Sequence, residues 1–228
     1  MDFTVQWCIS KYSTCERRVS RGLTEQTSSA STRAYRKSKR AEHEYRTRAR
    51  IVDAAEDLHA TLGPARTSVS AVAERAGVTR ATVYRHFPDE ESLFLACSRQ
   101  WLSRQRVPDP DAWTTSEDPL VRLRVGLTDV YRYYREGEKM ITHIQRDVEA
   151  VPPRVVANRL ATEQRWLEAL LRRFGERRRT TVRAAVAHAA AFSTWRSLCV
   201  THGLSNRSAV ELMVGMVAAA SHQPASPR

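Results

Sequence analysis

The chain has 228 residues, 42% hydrophobic and 27% charged, with 37 Lys+Arg against 25 Asp+Glu and a formal net charge of +12. That is apolar enough for one or two domains with a true core, which excludes a fully disordered chain, and basic enough to favour a polyanionic partner such as nucleic acid or an anionic membrane surface. No run approaches the ~18 uninterrupted apolar residues of a spanning helix. The start, MDFTVQWCISKYSTCERR, lacks the apolar core and small-residue cleavage site of a secretion signal, so a cytoplasmic protein with no membrane partner is expected.

The first fifty residues hold 12 Lys+Arg and 5 Asp+Glu and are rich in Ser and Thr, without a sustained apolar period early on. Residues 1–40 therefore read as a basic, disordered extension. Cys8 and Cys15 lie in this stretch with no histidine at a zinc-ligand spacing, so all four cysteines read as reduced thiols, and neither metal nor cofactor is expected. Residues 51–106 carry seven basic and seven acidic side chains, a net charge of zero. Any specificity there must come from placement rather than bulk charge.

A first helix fits 46–62, with Ile51, Ala55, Leu58 and Leu62 on one stripe and Gly63-Pro64 as its stop. Ser68 suits an N-cap for SVSAVAERA, which buries Val69, Val72 and Ala73 before Gly77. Thr79 caps TRATVYRH, Phe87-Pro88 breaks it, and Asp89 caps a fourth helix along Leu93, Cys97 and Trp101.

Two short helices joined by a tight Gly-containing turn make a helix-turn-helix, whose second member lies in the DNA major groove. At ~100° per residue Val83 turns inward, Arg80, Ala81 and Thr82 occupy the first turn, and Tyr84, Arg85 and His86 flank the exit. Arg can fork onto guanine and Ala can touch a thymine methyl, while Thr, Tyr and His can bond phosphates.

From Arg48 to Phe94 the run R-x2-IVDAAEDLHATLG-x3-TSVSAVAERAGVTRATVYRHFPDEESLF resembles the DNA-binding domain of the TetR (tetracycline-repressor) family of transcriptional regulators. The resemblance covers about a fifth of the chain, and AGVTRATVYRHF is far more specific than a generic helix-turn-helix. It implies an all-α homodimer: an N-terminal three-helix helix-turn-helix domain followed by a variable C-terminal helical ligand-binding and dimerisation domain. It places Arg80, Ala81 and Thr82 where members read bases, and Ser68, Tyr84, Arg85 and His86 where many contact phosphates. Thr79, Arg46 and Arg48 complete the candidate set for double-stranded DNA. In one departure, Glu90 stands where the family commonly has Lys. Glu90 suits a helix N-terminus but repels phosphate.

The implied organisation is an extension at 1–40, the DNA-binding domain at 41–88, a connecting helix at 89–106, the ligand-binding and dimerisation domain at 107–221 and a disordered tail at 222–228. In the C-terminal half, Leu120, Leu123, Leu127, Val130 and Tyr134 mark a helix ending near Gly137, followed by a shorter one over 138–149. Pro152-Pro153 open another, with Val156, Leu160, Glu163, Leu167, Leu170 and Phe174 as its stripe. Two more cover 179–202 and 206–220. Their small residues Ala185, Ala189, Gly215, Ala218 and Ala219 permit close helix approach, within one chain or between two. The resemblance favours a homodimer through these last two helices, bound to a pseudo-palindromic operator.

Tyr134, Met140, His143, Trp166, His188, Phe192 and Trp195 form a candidate ligand set for an apolar or aromatic small-molecule effector, although each alone is more often plain core. His143 and Asp147, at i and i+4, read as a solvated ion pair in preference to a metal site. No HExxH, P-loop, GxSxG or GxGxxG occurs, so no catalytic residues are expected. A ligand-responsive repressor is the leading function. A DNA-bound architectural protein with a solid C-terminal core is the alternative.

Overall fold

The computed structural model describes residues 24–174 and 179–222. The chain divides into two compact units, Met1–Arg46 and Thr47–Arg228. Among the described residues there is no strand, and no helix is long and apolar enough to cross a membrane.

Helix α1 (Thr24–Thr61) starts well before the expected position, so residues 24–40 are helical rather than a structureless extension. No Gly or Pro interrupts that stretch, and pairs at i,i+4 add local support: Arg40 Nε lies 3.2 Å from Glu44 and Arg46 Nη2 lies 2.6 Å from Glu42. Lys39 Nζ sits 4.7 Å from the centre of the Tyr35 ring. All side chains from Tyr35 to Arg46 are exposed. The remainder of the expected extension and the tail beyond His222 lie outside the described residues.

In the second unit, the last turns of α1 pack with α2 (Val69–Ala76), α3 (Arg80–His86) and α4 (Glu90–Arg104) around Ile51, Ala55, Leu58, Val72, Val83 and Phe87. The expected caps are present. Ser68 accepts from Ala71 N at 3.2 Å, Thr79 from Thr82 N at 3.2 Å and Asp89 from Ser92 N at 2.6 Å, each satisfying an amide that the helix leaves open. Gly77 ends α2 in the left-handed region at φ 64, where a side chain is strained. Leu93, Ala96 and Cys97 of α4 join this core, so α4 is a wall of the domain as well as a connection.

A second core is built by α5 (Pro119–Arg146), α6 (Pro153–Leu171), α7 (Arg179–Ala190), α8 (Phe192–Trp195) with a π-helical continuation over Arg196–Thr201, and α9 (Asn206–His222). Here three expectations need correction. Gly137 does not end a helix: α5 runs through it, because a Cβ there would lie 3.0 Å from the Trp101 ring and the glycine makes room for that indole. On α6 the buried residues are Trp166, Ala169 and Leu170, whereas Leu160 is 53% exposed. The single helix over 179–202 is broken at Ala191. The carbonyls freed there are taken by α5, with Tyr131 Oη donating to Ala189 O and Tyr134 Oη to Ala190 O, both at 2.8 Å.

Candidate nucleic-acid interface and effector cavity

The α2–turn–α3 unit presents Arg80, Ala81, Tyr84 and Arg85 to solvent, with Thr82 and His86 half-buried and Val83 locked in the core. Thr79 and Thr82 share a hydroxyl contact of 3.0 Å, which fixes the first turn. Ser68 and Thr79, both exposed, hold their helix starts. Arg48 Cζ sits 4.6 Å from the centre of the Phe87 ring, so this guanidinium is packed onto the end of α3. Arg46 belongs to the first unit, where it pairs with Glu42. Glu90 is exposed at the first turn of α4. Arg50 stands outside the candidate set, yet its Nη1 would be 4.0 Å from a Cβ at Gly77, beside the tight turn.

Residues 51–97 match the family described as bacterial regulatory proteins, tetR family. Over this stretch the chain is similar to that family. It is 33% identical over 88 residues to an uncharacterized HTH-type transcriptional regulator of Mycobacterium tuberculosis, a match covering 39% of this chain and 44% of that protein. It is also 46% identical over 50 residues to the HTH-type transcriptional regulator TtgR of Pseudomonas putida, covering 22% and 24% respectively. The chain thus spans less than half the length of these curated relatives. Its fold is similar to the crystal structure of NalD, the secondary repressor of the MexAB-OprM multidrug efflux pump in Pseudomonas aeruginosa, with a TM-score of 0.54 at 22% identity, covering 78% of this chain and 97% of that one.

Between α4, α5 and α6 lies a cavity of about 290 Å³, walled on one side by Phe94, Trp101, Tyr133 and Ile144. Of the candidate ligand residues, Tyr134, Met140 and Trp166 line it. A second space of about 610 Å³, a cleft among α5, α6 and the α7–α8 break, is lined by Tyr134, Trp166 and Phe192. Three candidates line neither space. His143 instead turns to the first core, its Nδ1 3.2 Å from the His59 carbonyl. His188 is exposed beside Thr194. Trp195 is 1% exposed and donates from Nε1 to Asn206 Oδ1 at 3.1 Å, a core role.

Phe94, Trp101, Arg159 and Glu163 were not among the candidates, yet they line the cavity. Apolar residues on two faces of the fourth helix were the available signal: Leu93 and Cys97 serve the first core, while Trp101 packs edge-on to Tyr133 at 6.0 Å.

His59 joins the two cores. It is buried, tilted against Phe94 at 4.5 Å and 3.4 Å from Cys97 Sγ. Burial holds its imidazole down to about 4 and pushes the Cys97 thiol up to about 12, so both are neutral and inert. Close by, Arg146 Nη2 donates to Leu62 O at 2.8 Å, and Ala65 N donates to Asp147 Oδ2 at 3.2 Å. Asp147 therefore pairs with Arg146 and that amide instead of His143, and among the described residues no metal-binding cluster forms.

Proposed function

We propose that the chain is a sequence-specific, homodimeric DNA-binding transcriptional regulator whose hold on a pseudo-palindromic operator is weakened by a small molecule. The observation that carries the DNA-binding reading is the α3 surface: a capped first turn offers Arg80, Ala81 and Thr82, flanked by Tyr84 and Arg85, within a stretch, residues 51–106, of zero net charge. A neutral stretch gains little from bulk attraction, so such a surface serves base readout supported by a few phosphate bonds.

A dimer follows from α9. Leu212, Gly215, Met216 and Ala219 form one exposed stripe, with Leu212 at 45% and Met216 at 51%, and a Cβ on Gly215 would meet nothing within 4 Å. The opposite face, Val210, Met213, Val214 and Val217, is buried. Of the small residues, Ala189 serves the internal core, while Gly215 and Ala219 are left for a partner helix. A second copy covers this stripe and doubles the base readout of one short helix.

Effector control is supported by the cavity, which a purely architectural protein has no use for. Its walls include α4, and the far end of α5 holds the last turn of α1 through His143 and the loop after it through Arg146 and Asp147. A ligand that shifts α4 or α5 by a fraction of an ångström moves the reading head through these bonds. A coupling of ~1–3 kcal/mol suffices for release. The test is titration of full-length protein onto specific and scrambled duplexes. Tenfold or greater preference for a selected site supports the reading, and equal affinity contradicts it.

A further inference from the structure

The zero net charge of residues 51–106 conceals two populations of charge. Some are spent inside the fold: Arg75 pairs with Asp57, Arg104 with Asp53 and Glu56, and Arg106 with Glu136, while the Asp89 carboxylate accepts from Ser92 N as a cap. Among the described residues, the carboxylates of this stretch that take part in neither an ion pair nor a cap are Glu74, Glu90 and Glu91. Glu91 is half-buried and Glu74 lies towards the end of α2, whereas Glu90 is exposed at the first turn of α4.

Glu90 also has a particular neighbour. A small cavity of about 70 Å³ lies between the start of α2 and the start of α4, and its wall includes Thr67, Ser68, Val69 and Glu90. Glu90 is the one charged side chain in that lining, since burial keeps His59 neutral and the other residues are apolar or hydroxylic. Arg66, two residues before Ser68, is exposed and makes no ion pair with it. The first helix of a helix-turn-helix crosses the DNA backbone, and a helix start carries open amides that attract anions. At the start of α2 a carboxylate therefore stands where a phosphate would approach. The other flank is opposite in sign. Helix α1 brings Arg48 to the end of α3 and Arg50 to the turn before it, neither in an ion pair among the described residues.

We infer that Glu90 is a specificity-determining residue that acts by repulsion: it denies the domain a backbone contact at the start of α2, so that tight binding needs the base contacts of α3. This rests on the DNA-binding reading above. Non-specific binding draws nearly all of its free energy from phosphates, and on a random duplex the domain settles wherever most of them are in reach. On a selected site the base contacts of α3 fix the register and remove that freedom. A carboxylate at one edge consequently takes more from random than from selected binding, and discrimination rises although the best affinity does not.

The test measures affinity of full-length parent, Glu90→Gln and Glu138→Gln for a selected and a random duplex over a range of salt. Glu138→Gln makes the same charge change on α5, in the other core. Glu90→Gln should tighten random binding about fivefold and selected binding less, so the ratio between them falls. Its salt slope on random duplex should steepen by ~0.9 for each phosphate gained. Glu138→Gln should move neither affinity, and Glu90→Lys should extend the trend of Glu90→Gln. Melting temperatures of all variants should stay close to the parent, because the Asp89 cap is retained. Random-duplex affinity unchanged by Glu90→Gln, an equal gain on both duplexes, or the same gain from Glu138→Gln would overturn the inference. A selective parent indifferent to Glu90→Gln removes this inference alone, whereas a parent without sequence preference removes the regulator reading.

Discussion

Arg80 and Tyr84 stand one turn apart on α3, both exposed, and the proposed function gives Arg80 base readout and Tyr84 backbone grip. Arg80→Ala should cost ~1–3 kcal/mol and relax preference at one position per half-site, whereas Tyr84→Phe, which loses only a phosphate-bonding hydroxyl, should weaken all sites alike. Affinities on single-base variants of the selected site check this, and equal loss on specific and random duplex for Arg80→Ala counts against base reading. His59 gives a second prediction. Its imidazole titrates near 4 in the folded chain and near 6.5 in the unfolded one, so between those values the unfolded state binds more protons and stability falls as pH drops. The loss should reach about 3 kcal/mol at the foot of the window, and His59→Gln should remove the dependence. Urea melts from pH 7 to 4 provide the measurement.

At the scale of elements, the caps were legible because each has a local chemical cause: Ser68, Thr79 and Asp89 accept the amides their spacing implied, and Gly77 takes the left-handed turn. Gly77→Ala should cost ~1–2 kcal/mol through the backbone alone, since its Cβ would have space. Gly137 misled for the opposite reason. A glycine reads as a helix end, but here it is set by a tertiary neighbour, the Trp101 ring, which no local pattern reveals. Gly137→Ala should therefore cost ~1–3 kcal/mol through overpacking and displace a cavity wall. The break at Ala191 was equally hidden, because no Gly or Pro marks it and the hydroxyls that hold it come from Tyr131 and Tyr134, more than fifty residues away. Charge and Ser/Thr content obscured the helical character of residues 24–40, where side chains from Tyr35 onward are exposed. Truncation of residues 1–40 removes Arg33, Arg36, Lys37, Lys39 and Arg40 and should leave base preference intact while lowering affinity on every duplex. The log K against log salt slope should become shallower by ~0.9 for each phosphate no longer neutralised. An unchanged slope would make this stretch a solvated helix without a DNA role.

For the whole molecule, the exposure of the candidate DNA-reading residues on α3 was legible because they are contiguous in sequence. The cavity was only partly legible because it is assembled from helices far apart in sequence, and His143, His188 and Trp195 line neither it nor the cleft. The α9 stripe completes the account: Met216→Glu places a charge on an exposed residue, so the fold should persist while the dimer dissociates at micromolar concentration and operator affinity drops by orders of magnitude. Sedimentation of the variant beside the parent checks it. The most direct test of the central claim is selection of bound sites from a random duplex pool by the full-length protein and by Arg80→Ala. The parent should return an inverted repeat, and the variant the same repeat with preference lost at one position in each half. Recovery of no motif, or of an identical motif with both proteins, would contradict it.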